Sequence, residues 1–504
     1  MKKEELQAEK KNLSAEKAPE AENPGLSISA KSFISALVIL FILMIVTYVL
    51  TLIIPAGQYP RITDESGHSL IDATGEYVLC EGGLSFWKWL LSPFLVLGAS
   101  GGATIIAVII FLLVIGGIFN ALEKGGIMRY LLNKLVHTYR NKRYQLMAVI
   151  ILFFMLMGSL VGSYEECVPL VPIVVALAVS MGWDVLTGLF MSLLAVGCGF
   201  AAGICNPFTV GVAQSLAGLP MFSGMGYRAV GFVLIYGLLL AYTLWHAKAF
   251  EKAGGLVQAG SVGSAGASKG GSKPGISQAA SDFSKDPKLE KAVRAFVLIL
   301  AAGIVLILTS TFIKALQDYT MIIVAVMFLA AGITSTLASG MTAKELGRDF
   351  VQGVTAILPA VLMILMASSI KYCMEEARIL DTILHAAIGL MQTMPRGLII
   401  LFIYLIALLF NFFIASGSAK AFLLIPLIAP MAQVFGISSQ LTVMAYAFGD
   451  GFSNVFYVTN PVLLISLGLA GISYGKWVKY SWKFQLANLA LTSCLLLLGL
   501  AIGY

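Results

Sequence analysis

Charge is what this chain has least of. Only 12% of its 504 residues are Asp, Glu, Lys or Arg, whereas 59% are apolar, and the mean hydropathy is +0.90. So little charge cannot cover a soluble domain of this length, which excludes a water-soluble enzyme or binding module. Histidine is scarce as well: His68, His137, His246 and His385 stand far apart and show no metal-ligand spacing. Of the six cysteines, only Cys80 lies in a polar stretch, so no disulfide framework is readable. No cofactor is expected, and the candidate coupling ions are H+ or Na+. The net charge of +7 does not point to nucleic acid. The basic residues gather between apolar runs, as they do in the cytoplasmic loops of membrane proteins.

What the chain has in quantity is apolar runs of about 18 residues or more, the length that crosses a bilayer. The expected fold is therefore an all-α polytopic membrane protein whose first partner is the lipid bilayer. Residues 1–30 are polar and aperiodic and read as a disordered cytoplasmic tail, so the N-terminus is expected inside the cytoplasmic membrane. The run 33–54 is the first span; a signal peptide would need a shorter polar lead-in and an A-x-A site. Residues 55–99 carry more acid than base and read as an external loop, with Trp87 and Trp89 in the interfacial belt. After a span at 104–122, Ile127, Leu131, Leu132 and Leu135 recur at helical spacing among basic residues, the pattern of an amphipathic arm. A first repeat thus occupies 31–250, ending in the span 227–250. Residues 251–290 are a Gly/Ser/Ala/Lys linker, flexible and cytoplasmic. Residues 291–504 hold a connecting span and a second repeat, with spans at 291–316, 320–338, 353–374 and 482–504.

The stretch 158–207 organises the rest. It is almost wholly apolar, yet it contains Glu165 and Glu166 and ends in a glycine-rich break at Asn206-Pro207. An ionisable residue at membrane depth costs about 2.5–3.5 kcal/mol on insertion scales, and an interrupted helix leaves backbone groups that lipid cannot satisfy. Both are tolerated only against protein or water. Residues 144–182 read either as two full spans or as a re-entrant hairpin. The hairpin is preferred because it places the glutamates beside a broken helix and puts every lysine-rich loop on one side. Residues 398–435 form the matching hairpin, with Ser416-Gly417-Ser418-Ala419-Lys420 at its tip. Discontinuous helices are expected at 184–217, broken near Gly197–Pro207, and at 441–470, interrupted around Gly449-Asp450-Gly451 and Asn460-Pro461. The total is about nine spans plus two hairpins, with both tips near mid-membrane.

The two halves align at a nearly constant offset. Ser163 precedes Ser418 by 255 residues, Pro172 precedes Pro426 by 254, and Asn206-Pro207 precedes Asn460-Pro461 by 254. The extra span at 291–316 turns the second repeat upside down. Inverted repeats with paired broken helices point to a secondary transporter with a midplane site. Helix N-termini at the tips and breaks attract an anionic group, while freed carbonyls and the Asn206 and Asn460 amides can coordinate a cation. Pro207 and Pro461 are expected to end the first half-helices and keep the breaks open. Ser163, Ser416 and Ser418 at the tips, Thr209 and Asn454 beside the breaks, and the ionisable Glu165, Glu166, Lys420 and Asp450 complete the candidate substrate- or ion-binding set. None is expected to be catalytic. An aspartyl enzyme built on Asp450 would need a second facing carboxylate, and the matching position in the first half is Cys198.

These residues resemble the ion-transporter superfamily and, within it, the C4-dicarboxylate anaerobic carrier (YfcC-type) family. The likeness rests on Ile54-Pro55-Ala56-Gly57, Glu165-Glu166 with a Pro-rich limb after it, Asn206-Pro207-Phe208, Ser416-Gly417-Ser418 and Gly449-Asp450-Gly451-Phe452. It runs from residue 33 to the C-terminus. It implies a homodimer with a scaffold domain and a moving transport domain, and a function as either a dicarboxylate carrier or a basic amino-acid exchanger. Lys420 departs from the uncharged polar residue that the resemblance leads one to expect. Three carboxylates to one ammonium, with no arginine near the tips, favour a solute with a cationic side chain. The expectation is a secondary active carrier of a small charged organic solute, most simply an arginine- or ornithine-type amino acid. The alternatives are a C4-dicarboxylate carrier, a channel and, from another class, an intramembrane enzyme.

Overall fold

In an apolar medium the backbone must satisfy its own hydrogen bonds, and helices do so within one segment. The computed structural model describes residues 30–63, 69–72, 75–99, 102–162, 164–253, 286–310 and 320–504. The expected tail, most of the expected linker and Ser163 lie outside the described residues. The first helix, α1, is Ala30–Ile53; α2 is Phe86–Leu95, α3 Gly102–Lys124 and α4 Ile127–Tyr139. Helix α5, Arg143–Leu156, runs on through a π-helical turn at Met157–Val161. A 3-10 turn at Glu165–Leu170 leads into α6, Val171–Ser180. Helix α7 (Val185–Leu189), a π-helical turn and α8 (Ala195–Ala202) form one rod. It breaks, and the chain resumes at Pro207–Gly211 and α9, Val212–Leu216. Then come α10 Met225–Lys252, α11 Pro287–Ser310, α12 Thr320–Ala338, α13 Ala343–Glu376 and α14 Leu380–Met391. The last five are α15 Arg396–Phe413, α16 Gly417–Val434, α17 Ser439–Asn454, α18 Pro461–Leu469 and α19 Tyr474–Ile502.

Eight helices among the described residues are long and apolar enough to cross a membrane. Three of them, Arg143–Val161, Arg396–Phe413 and Gly417–Val434, are limbs of the expected hairpins and have 19, 18 and 18 residues. Burial sorts the spans. Of the most apolar window in Val185–Leu216, 94% is buried, against 28% in Met225–Lys252 and in Tyr474–Ile502. The broken rod is therefore the centre of the molecule, and α10 and α19 turn leucines and valines outward. Around it pack α5, α10, α16 and α17, and α15 packs on α17. Helices α1, α3, α12 and α13 form a second layer, touching the first through the 3-10 turn at Glu165–Leu170 and through α18.

Four expectations need correction. The chain is not wholly α: Gly57–Gln58 pairs with Val78–Leu79, and Arg61–Thr63 with Ser69–Ile71, both antiparallel. These strands follow the first span, where the backbone need not satisfy itself within one helix. Trp89 is no interfacial anchor; it is buried and its Nε1 donates to Met44 O at 2.9 Å. The last span starts at Tyr474 rather than 482, capped by Ser473, whose hydroxyl accepts from Lys476 N. Finally, the first rod breaks inside the expected 197–207, beyond Gly197 itself, whereas Gly449-Asp450-Gly451 marks no break and lies inside a helix, as Gly197 does. Their glycines serve close approach instead, since a Cβ on Gly451 would overlap Ala201 and one on Gly449 would overlap Ala407.

The strands hold α14 in place. Arg61 Nη2 bridges both oxygens of Asp381 at 2.8 and 2.9 Å, Tyr59 N donates to Asp381 Oδ2 at 2.9 Å, and Tyr77 stacks on His385 at 4.2 Å.

Because Gly451 carries the contact between α17 and α8, Gly451→Ala should lower the unfolding midpoint of the detergent-purified protein. Overpacking of this kind costs about 1–3 kcal/mol. Gly475→Ala, where a Cβ meets nothing within 4 Å, should leave the midpoint unchanged or raise it slightly.

Candidate functional site

The first break spans residues 203–206. Gly203 ends α8 at φ +40°, a conformation that favours glycine. Asn206 then caps the next helix: its Oδ1 accepts from Phe208 N at 2.9 Å and Thr209 N at 3.3 Å. Only an oxygen can meet two backbone N–H groups, so the amide is oriented with Nδ2 facing away. Nδ2 is buried and has no partner among the described residues. Pro207 follows at the first helical position, where a missing N–H costs nothing. Three more backbone groups of the break have partners. Ile204 N donates to Ser159 Oγ at 2.9 Å, Cys205 N to Ser159 O at 3.2 Å, and the Arg228 guanidinium donates to Ile204 O at 3.0 and 3.2 Å.

The second break, at 455–460, repeats this chemistry. Asn460 Oδ1 accepts from Val462 N at 2.9 Å and Leu463 N at 3.3 Å, and Pro461 begins α18. Here the amide nitrogen is used, donating to Asn454 Oδ1 at 3.0 Å. Tyr164 OH donates to Asn454 O at 3.0 Å, Trp477 Nε1 to Val455 O at 2.8 Å and Tyr474 OH to Phe456 O at 2.9 Å. Two expectations are thereby corrected. Pro207 and Pro461 start the second half-helices rather than end the first. The two asparagine amides spend their oxygens on capping rather than on a cation, and Asn460 spends its nitrogen on Asn454, so of the pair only Asn206 Nδ2 is left without a partner among the described residues.

Between the breaks runs a buried polar chain. Lys420 Nζ, with its residue fully buried, lies 2.6 Å from Asp450 Oδ1, 3.1 Å from Ile414 O and in contact with Asn411 Oδ1. Asn411 Nδ2 donates to Ser453 Oγ at 2.7 Å and to Asn454 Oδ1 at 2.9 Å. This joins Lys420 and Asp450 to Asn454 and Asn460. Gly417, the first residue of α16, sits where the halves meet: a Cβ there would lie 2.5 Å from Thr209 Cγ2 and 2.7 Å from Asp450 Oδ2. Thr209 Oγ1 and Asp450 Oδ2 are buried and unpartnered among the described residues. Ser416 is exposed and caps α16, with its Oγ 3.5 Å from Ser418 Oγ. The turn into α16 is thus open on one side and packed against Thr209 and Asp450 on the other.

Glu165 and Glu166 part company. In a 3-10 turn, adjacent side chains diverge by about 120°. Glu165 stands within electrostatic reach of Asp450. Glu166 instead lines a cavity of about 20 Å³ with Met157, Cys167, Val324 and Phe328, against α12, room for one water. Its Oε2 is buried without a partner, and neither glutamate has an ion-pair partner among the described residues.

Sequence reading missed four residues. Asn411 and Arg228 are lone polar residues in apolar runs, which is the signal that could have found them. Tyr164 and Tyr446, the latter donating to Gly417 O, carry no such signal, because a tyrosine in an apolar segment is ordinary. Arg228 lies at the first break, not at a tip, and its guanidinium is spent on Ile204 O and on Tyr504 OH at 3.2 Å.

Discontinuous helices meeting around unpartnered buried polar atoms, within a set of bilayer-length helices, define a membrane transport protein. The chain belongs to the C4-dicarboxylate anaerobic carrier family, whose sequence model matches residues 33–501. It is 28% identical over 399 residues to an Escherichia coli (strain K12) protein named "Putative basic amino acid antiporter YfcC", covering 75% of this chain and 74% of that one. It is 25% identical over 404 residues to an uncharacterized Haemophilus influenzae protein, covering 78% and 74%. Among solved structures it is similar to the Alcanivorax borkumensis YdaH transporter, at 18% identity and a TM-score of 0.44, covering 94% of this chain and 99% of the other. Membership of a carrier family gives the intramembrane-enzyme alternative no support.

Asn206→Ser keeps a good capping oxygen and removes only the unpartnered N–H. It should leave the melting midpoint close to wild type and reduce transport in proteoliposomes. Asn460→Ser, which removes the bond to Asn454, should lower the midpoint, by the roughly 0.5–1.5 kcal/mol that one net hydrogen bond contributes to stability, since Asn454 Oδ1 keeps Asn411.

Proposed function

We propose that the protein is a secondary active carrier working by alternating access in the cytoplasmic membrane, and that it moves a basic amino acid of the arginine or ornithine kind. Transport proceeds by exchange or by uptake coupled to H+ or Na+. The observation that carries this reading is the charge balance. Lys420 is spent on Asp450, so the two glutamates of the first hairpin remain without a protein cation. A cationic side chain on the solute completes that balance at Glu165. The Asn206 N–H is suited to the solute's α-carboxylate, and Asp450 Oδ2 and Thr209 Oγ1 to its ammonium. Two inverted repeats underlie this arrangement on our reading, supported by the constant offset and by the same asparagine cap and N1 proline at both breaks. The N-terminus is cytoplasmic and the working unit a homodimer in this proposal.

A C4-dicarboxylate is the second reading, favoured by the family's description and by the unpartnered Asn206 donor. The arginine that would grip a second carboxylate bidentately is absent from this reading's favour, since Arg228 is hydrogen-bonded to the backbone of the break.

Uptake of labelled solutes into proteoliposomes, with and without ion gradients, separates the two. Arginine or ornithine should be taken up saturably, and Glu165→Gln should weaken that uptake about 10- to 100-fold, the value of a charge-assisted hydrogen bond of roughly 1.5–3 kcal/mol. Glu166→Gln, facing its small cavity, should change affinity less and alter any pH response more. Saturable succinate or fumarate uptake with no uptake of cationic amino acids would overturn the reading.

A further inference from the structure

The buried cluster around Lys420 has the composition of a cation site. Its three oxygens come from an amide, a main-chain carbonyl and a carboxylate, the hard donors that hold alkali and alkaline-earth ions. Each is aimed by its surroundings. Asn411 uses both amide hydrogens on Ser453 and Asn454, which turns Oδ1 toward the ammonium. Ile414, just past the end of α15, has extended dihedrals (φ −120°, ψ 92°), so its carbonyl leaves the helical ladder and meets Nζ at 3.1 Å. Asp450 supplies the negative charge at 2.6 Å, and its second oxygen remains unpartnered on the Gly417 side. An ammonium has three donors and no acceptor, and here three acceptors consume all of them.

We propose that the Lys420 ammonium is a tethered cation filling an alkali-ion site built between α15, α16 and α17, so that no free Na+ is taken there. The first half lacks such a tether: the offsets of 255 and 254 on either side of Lys420 place Glu165 and Glu166 there, both acidic. Any exchangeable coupling ion is therefore carried elsewhere, on the first-hairpin side. This deepens the carrier reading, yet the site itself is read by ion binding alone, so its failure would leave that reading standing.

The test counts bound 22Na+ on the purified full-length protein, in choline buffer against rising NaCl. Lys420→Ala leaves Asp450, Asn411 and Ile414 in place around an opened space. It should bind one more Na+ per chain than wild type, and its melting temperature should rise with Na+ but not with choline. Lys420→Ala/Asp450→Asn, with the charge removed on both sides, should lose the extra ion. Recovery of folded Lys420→Ala only when NaCl is present during purification would support the proposal equally. Two results would overturn it: an Na+ count equal to wild type in folded Lys420→Ala, or failure of that variant to fold in NaCl and choline alike.

Discussion

A helix that breaks inside an apolar core must have its freed backbone groups met by protein, and the rest of this structure depends on that requirement. Each break is served by an asparagine cap, a proline at N1 and a set of hydrogen-bond partners brought from elsewhere. For the first these are the acceptor Ser159 and the donor Arg228; for the second, the donors Tyr164, Trp477 and Tyr474. An unsatisfied buried backbone group costs about 1–3 kcal/mol, so these partners hold both the break and the helices that carry them. Tyr164 is the residue through which the first hairpin braces the second break.

The two halves share that backbone solution and differ in charge. In the second, Lys420, Asp450, Asn411, Asn454 and Asn460 satisfy one another in a continuous buried chain. Breaking a buried pair by removing one partner typically costs about 3–5 kcal/mol, so Lys420 and the near oxygen of Asp450 are committed to each other, while Asp450 Oδ2, Thr459 Oγ1 and Ser466 Oγ of this half have no partner among the described residues. In the first half, Asn206 Nδ2, Thr209 Oγ1 and Glu166 Oε2 remain unpartnered among the described residues. Such atoms are tolerated where a ligand, an ion or water meets them in turn, and at the junction around Gly417 they come from both halves, Thr209 Oγ1 from the first and Asp450 Oδ2 from the second.

The parts of this design that were legible in the sequence were those in which a residue type violates its surroundings. Adjacent glutamates in an apolar run and two Asn-Pro pairs at matched offsets stand out because membrane segments exclude them without cause. Lone Gly-rich stretches misled for the opposite reason. Gly449 and Gly451 look like breaks in one dimension, but their hydrogens make room for Ala407 and Ala201 across helix interfaces that sequence spacing does not express. The short strands after α1 were illegible because segments of two or three residues are too short to show alternation.

Composition and periodicity alone determined that this is a helical membrane protein, because a bilayer accepts only long apolar runs and makes every polar residue within them conspicuous. Motif position determined where the helices break, since at Asn206-Pro207 and Asn460-Pro461 an asparagine cap is followed by a proline at the first helical position. Only the tertiary structure decided what each polar atom faces. The glutamates diverge because the local turn is 3-10, the asparagine oxygens are spent on capping, and Lys420 is caged by three oxygens from outside its own helix. Those are questions of direction in space, and a one-dimensional pattern carries no direction beyond the neighbouring turn.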